Sequence, residues 1–211
     1  MADHPFLLSG PLAERLRAAA DVEGKIFRAL DALGQLVGRD VALVDVPAGP
    51  LLDRFAAAGV SVQPVTLSDP FRLDVPDASL DAVVSLWSGF RGVNAGELAE
   101  VDRALRPGGR LLVVHDYGRD EVSALGDPDA PEYRSWSRRT GPFLDGGAFR
   151  IRVLHCFWTF GSVEEARAFL GEAFGERGTA AGAALKRPRL AWNVAVYHRW
   201  RGGEAPDEAP E

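Results

Sequence analysis

The chain has 211 residues, of which 46% are hydrophobic, with 24 Lys and Arg against 30 Asp and Glu and a formal net charge of −6. Its mean hydropathy is −0.07. That length suits one domain with a sizeable core, the acidic balance argues against a whole-surface nucleic-acid footprint, and no run nears the roughly 20 apolar residues of a bilayer span. The N-terminus lacks a charged-then-apolar leader pattern. A lone Cys156 excludes an internal disulfide framework and a multi-cysteine zinc site. These features predict a cytoplasmic protein without a membrane role. Only residues 186–201 are locally basic, in keeping with a solvated strand edge.

Ser9-Gly10-Pro11 reads as a helix start with Pro at the first helical position, and Leu12 and Leu16 mark a first amphipathic helix. A second begins near Asp21 and places Ile26, Leu30, Leu33 and Val37 on one stripe. Val41-Ala42-Leu43-Val44-Asp45-Val46 is a first strand, and Gly49-Pro50 enters a helix that Gly59 stops. Residues 60–66 read as a second strand. The stretch from there to Leu80 is too short for the helix and further strand that a parallel crossover needs. Asp69-Pro70 within it is a turn pair.

Leu80-Asp81-Ala82-Val83-Val84-Ser85 is the next strand, rich in β-branched residues. A Gly-rich turn leads into a helix with Leu98, Val101 and Leu105 on one face and with Asn94 and Glu97 at capping-box spacing. Arg106-Pro107-Gly108-Gly109 ends that helix. Arg110-Leu111-Leu112-Val113-Val114 is then a second buried strand, closed by His115-Asp116-Tyr117. Strand, helix, strand in this form is a right-handed βαβ unit.

Residues 126–147 are rich in Gly, Pro and Asp yet hold Tyr133, Trp136 and Phe143, the composition of an ordered, lid-like loop. Arg134, Arg138 and Arg139 there either draw an anionic substrate or form a solvated face. A strand over 149–160, a capping box at Ser162 and Glu165, a helix burying Val163, Ala166, Phe169, Leu170 and Phe174, and a strand over 190–200 complete the pattern. His155, Cys156 and His198 lie on strands without loop-type ligand spacing, so no metal site is expected. Residues 202–211 form an acidic tail expected to be disordered.

Asp77-Ala78-Ser79-Leu80-Asp81-Ala82-Val83-Val84, with Ala104-Leu105-Arg106-Pro107-Gly108-Gly109-Arg110-Leu111-Leu112, resembles the fourth- and fifth-strand region of class I S-adenosylmethionine-dependent methyltransferases. The resemblance spans roughly residues 41–201. It implies a three-layer α/β/α Rossmann-like sandwich with a mostly parallel sheet and an antiparallel last strand, here short of one βα unit at an edge. Residues 1–38 would be N-terminal helices, lying over the cleft or simply packed on the sheet. Residues 39–201 would be the α/β domain, with 126–148 as the lid-like loop.

The family's first turn carries an acidic residue and then three glycines at alternate positions. Here it reads Asp45-Val46-Pro47-Ala48-Gly49-Pro50-Leu51, so Asp45 and the middle glycine stand while Pro47 and Leu51 take the outer places. Pro47 has no N–H to offer a ligand. At the end of the second strand, where the family bears an acidic residue for the ribose hydroxyls, stands Thr66, with Asp69 three residues on.

Ligands of open α/β sheets sit beyond the carboxyl ends of the strands. Asp45, Ala48, Gly49, Asp69, Ser85 and Trp87 are therefore the candidate S-adenosylmethionine contacts, Trp87 either stacking on a ligand ring or covering a sheet edge. Asp116, with His115 as partner, is a candidate general base toward an acceptor hydroxyl or amine; an Asp just past a strand also commonly caps the next helix. Two functions fit. One is O- or N-methyl transfer to a small molecule through an altered cofactor pocket. The other is a catalytically inactive relative serving as a binding or dimerisation module. The missing edge unit predicts that a partner copy (a homodimer) or the N-terminal helices cover the exposed strand.

Overall fold

Apolar runs at 41–44, 80–86 and 111–114 form the middle of one sheet in the computed structural model, which describes residues 8–45, 50–66, 68, 71–90, 93–126, 138–145 and 148–203. Its elements are α1 (Gly10–Ala19), α2 (Lys25–Gly34), β1 (Asp40–Val44), α3 (Pro50–Ala57), β2 (Ser61–Val65), β3 (Leu80–Leu86), α4 (Ala95–Ala104), β4 (Leu105–Asp116), β5 (Arg150–Thr159), α5 (Val163–Ala184) and β6 (Arg189–Trp200). The strand order is β2-β1-β3-β4-β6-β5. Neighbours from β2 to β4 are parallel, and β6 runs against both β4 and β5. This is the expected three-layer Rossmann-like sandwich. One face packs on α1, α2, α3 and α5 through residues such as Leu43, Val84 and Trp192. The other packs on α4 and Phe143 through Val83, Val113 and Tyr197.

The two halves of the strand motif meet in one knot. Leu80 pairs with Leu105 but Ala82 pairs with Arg110, so residues 106–109 bulge out opposite Asp81. Gly108 takes φ +79°, and a Cβ on Gly109 would sit 2.9 Å from the Arg106 carbonyl oxygen. The bulge aims Arg106 at Asp81 (2.7 Å) and Asp40 (2.9 Å). Asp81 also accepts the Asp40 N–H at 3.0 Å, which joins β1, β3 and β4 at their N-terminal ends.

Between β2 and β3 the described residues contain neither helix nor strand, as the short connection requires. What holds this segment is α4. Glu100, 5% exposed, accepts from the Leu73 N–H (2.9 Å) and from Arg72 (2.7 Å). Arg103 pairs with Glu100 and donates to the Leu73 and Val75 carbonyl oxygens at 3.0 and 2.9 Å. Leu73 and Val75 are thereby pressed into the core below.

Among the described residues no helix covers the β2 edge, which is instead blunted. The Ser61 N–H and the Val65 carbonyl both bond toward β1 and its flanks, so by alternation Val62 and Pro64 face outward, and Pro64 has no N–H. The expectation that the N-terminal helices cover this edge is corrected. They lie at the opposite edge, where Ala20 bridges Trp158 and the Asp21 N–H donates to Phe157 O at 3.1 Å. The stripe assigned to α2 also ends early. Gln35 adopts a left-handed C-cap, the Asp31 carboxylate takes the Leu36 and Val37 N–H groups, and Val37 is left exposed.

The capping box of α5 forms with a one-residue offset: Ser162 Oγ accepts the Glu165 N–H, and Glu165 reaches Gly161 N–H. Gly175, at φ +57°, then reverses the helix. Its second half folds back so that Arg167 Nε donates to Gly182 O at 3.0 Å.

Candidate functional site

Strands β1, β3 and β4 reach the same end of the sheet, with Val44 beside Ser85 and Ser85 beside Val113. Asp45 is the first residue beyond β1. It is half-buried, takes φ +50°, and donates its N–H to Val65 O at 2.8 Å. Asp is one of the few side chains that tolerate that conformation well. Ala48, Gly49 and Asp69, with Pro47, lie outside the described residues. Leu51 is half-buried against the core, and Thr66 is exposed.

Ser85 is fully buried. Its Oγ accepts the Gly89 N–H at 3.0 Å and lies 3.0 Å from Ser88 Oγ. Ser88 donates its one hydroxyl hydrogen to Val44 O at 3.2 Å, so Ser85 is the donor in the pair. The two serines therefore tie the loop after β3 to the end of β1, at the carboxyl ends of the strands, where ligands of open α/β sheets bind.

Trp87 also holds a left-handed backbone, φ +55°, and is only 3% exposed. Its ring stacks on Trp192 with centroids 5.4 Å apart, and its Nε1 donates to Asp116 Oδ1 at 3.4 Å. Trp192 Nε1 donates to the same oxygen at 2.7 Å. The Trp87 indole thus faces the core under the helices and does not stand in the cleft as a platform.

His115 and Asp116 go to opposite faces of the sheet, as consecutive strand residues must. His115 packs against Phe143 and lies with Nε2 3.3 Å from Gly89 O. A carbonyl only accepts, so the ring proton in that contact is on Nε2. The pairing of His115 with Asp116 is therefore corrected. His115 supports the Ser88–Gly89 loop from one face, and Asp116 fixes Trp87 and Trp192 on the other. In the turn beyond β4, Asp120 Oδ1 accepts the Ser123 N–H at 2.7 Å.

Trp192, the Gly89 carbonyl and the Ser88–Val44 tie were not identifiable from the sequence, since each is a contact between distant segments. In the lid-like region, residues 127–137 and 146–147 lie outside the described residues; Phe143 is buried, stacked on Tyr197 at 4.1 Å. Arg138 and Arg139 are exposed. Cys156 is buried, and its thiol is pushed up to about 12 mainly by that burial, so it is an inert core residue. Among the described residues no helix is long and apolar enough to cross a membrane.

No family model matches the chain. Over 94 residues it is 35% identical to the ubiquinone/menaquinone biosynthesis C-methyltransferase UbiE of Bordetella avium, a match covering 44% of this chain and 34% of that protein. The similarity thus spans about a third of the relative's length. Among solved structures, a putative methyltransferase from an antibiotic biosynthesis pathway of Anabaena variabilis superposes with a TM-score of 0.52 at 14% identity, over 86% of this chain and 98% of that one. A putative type II methyltransferase from Anaeromyxobacter dehalogenans gives 0.47 at 18% identity, over 82% and 94%. In its fold, and over those 94 residues of sequence, the chain is similar to the class I S-adenosylmethionine-dependent methyltransferases.

Proposed function

We propose that the protein transfers a methyl group from S-adenosylmethionine to an oxygen or nitrogen of a small molecule, through a cofactor pocket that departs from the family's usual one. The observation that carries this reading is the half-buried Asp45 just beyond β1, next in the chain to Val44, whose carbonyl oxygen anchors Ser88 of the loop after β3. A half-buried carboxylate and a loop with ordered backbone groups suit a ligand bearing ammonium and hydroxyl donors, so the residues fit the group. The departure lies in Pro47, which offers no N–H, and in Thr66 at the end of β2.

When bound, the cofactor supplies an already activated methyl on its sulfonium, so placing the two reactants matters more than a dedicated base. The chain's own part is correspondingly one of placement. Asp45 accepts hydrogen bonds from the ligand. Ser85, Ser88 and His115 hold the loop after β3 at a fixed height over the strand ends. Asp116 locks Trp87 and, through it, the entry of the same loop.

Calorimetric titration with S-adenosylmethionine and S-adenosylhomocysteine tests this. Binding is expected at about micromolar concentration and about tenfold weaker or worse in Asp45→Asn, which keeps the left-handed backbone accessible while removing the charge. Absence of heat at millimolar ligand would retire the cofactor assignment.

A further inference from the structure

The end of the sheet away from Asp45 has a different chemistry. Arg150 on β5 stands directly opposite His198 on β6, which faces Leu112 on its other side. Arg110 of β4 is opposite Trp200, and Arg152 of β5 is opposite Val196, each one side-chain step from His198 along the same face. Cross-strand partners share a face, and Leu112 and Val196 belong to the core beneath α2. The three guanidinium groups and the His198 imidazole therefore gather on that face. Arg110 lies flat on the Trp200 ring, 3.3 Å from its centroid, and donates to Leu33 O near the end of α2.

None of the four forms an ion pair among the described residues. Asp31, on α2, spends its carboxylate on backbone N–H groups. Burial and then Arg110, Arg150 and Arg152 hold the His198 imidazole below its ordinary pKa, and burial and Arg150 do the same to Arg110. Protecting an edge strand from strand addition accounts for Arg150 and Arg152. It does not account for Arg110 and His198, which sit on inner strands, where crowding basic groups weakens the fold unless an anion joins them.

We propose that this face binds the phosphate group of a small ligand, with Arg150 and Arg152 supplying guanidinium forks, Arg110 held in place by Trp200, and His198 at the centre. Guanidinium groups match phosphate oxygens in pairs. The site lies at the N-terminal ends of β4 and β5 and is separate from the Asp45 end, so it would anchor a ligand independently of methyl transfer.

The test follows the His198 ring by NMR, assigned with His198→Gln, while the full chain is titrated with inorganic phosphate and with pyrophosphate at an ionic strength fixed by sodium chloride. The expected result is saturable binding, tighter for pyrophosphate, with the apparent His198 pKa rising by about half a unit or more. In Arg150→Gln/Arg152→Gln, affinity should fall about tenfold at an unchanged thermal midpoint. A shift no larger than chloride alone produces, or one that persists in the double variant, overturns the proposal. So does binding of a single-stranded oligonucleotide without pyrophosphate binding, which would make the face one for an extended polyanion. Phosphate binding seen only after removal of residues 204–211 would overturn it for the intact chain, with the acidic tail as occupant.

Discussion

On the α4 face, Glu100 holds residues 72–75 against the sheet, and on the opposite face Asp21 holds the start of α2. Both carboxylates are almost fully buried, and both accept backbone N–H groups: Glu100 from Leu73, Asp21 from Lys25 and Ile26, each at 2.9 Å. They differ in their cations. Arg103 and Arg72 lie 2.7 Å from Glu100 oxygens, whereas Arg54 stands 3.5 Å from Asp21 and makes shorter bonds to the Asp21 and Val22 carbonyls. Arg103 above all, working against desolvation together with Leu73 N–H and Arg72, holds the Glu100 carboxyl down at about 2. Burial pushes Asp21 up, beyond what its two N–H donors and Arg54 restore. Two backbone donors do not offset burial of a carboxylate; a guanidinium in contact does.

The largest effect is expected at Glu100. Its folded pKa lies below the unfolded one, so its contribution is complete above about pH 4.5 and is lost as pH falls through about 2. Glu100→Gln should therefore cost about 3 kcal/mol at pH 7, since Arg103 keeps its charge in a half-closed site without its main partner. In urea unfolding across a pH series, the gap to the parent should narrow steadily below pH 4.5. A gap independent of pH would mean that packing of Leu73 and Val75, and not the ion pair, holds the segment.

Sequence patterns showed the strand motif far better than the segment that Glu100 holds. The two strands of the motif, with the Arg106–Gly109 turn between helix and strand, were legible from their composition; that the turn bulges and aims Arg106 at Asp81 was not, because it depends on the register between the strands. The shortened β2-to-β3 connection could be read from residue count alone. What replaced the missing unit could not: Glu100 and Arg103 stand beside the apolar stripe of α4, and nothing in their spacing says that both turn inward. At the candidate site, the strand ends placed Asp45, Ser85 and Asp116 correctly near one end of the sheet. The Trp87–Asp116–Trp192 contact escaped because its members are far apart in sequence and meet only through sheet order. The separation of His115 from Asp116 was available in principle, since strand neighbours point to opposite faces.

Asp116 supplies a third case that sharpens the comparison, a buried carboxylate that accepts two indole N–H groups. Asp116→Leu should cost about 2 kcal/mol, because the Trp192 and Trp87 N–H groups lose a common acceptor in a site closed to water. Asp116→Asn, which keeps one carbonyl oxygen, should cost about half as much. Near-UV circular dichroism should change in both, since the stacked indoles are the affected chromophores. Equal losses for the two variants would show that the charge, and not the acceptor, is what the tryptophans need.

The smallest effect, and the one that separates the two regions most cleanly, belongs to Asp21. Its folded pKa is raised, so its stabilising contribution is complete below about pH 3.8 and is lost as pH rises through the raised value; at neutral pH its charge is a cost. Asp21→Asn removes that cost but also gives up one acceptor for the Lys25 and Ile26 N–H groups, so at pH 7 the change should stay within about 1 kcal/mol. As pH falls toward 3.8 the parent gains and the variant does not, so the gap should widen, opposite in slope to that of Glu100→Gln. Parallel slopes for the two variants would show that Arg54 serves Asp21 as Arg103 serves Glu100, and distance to the guanidinium would no longer explain the contrast.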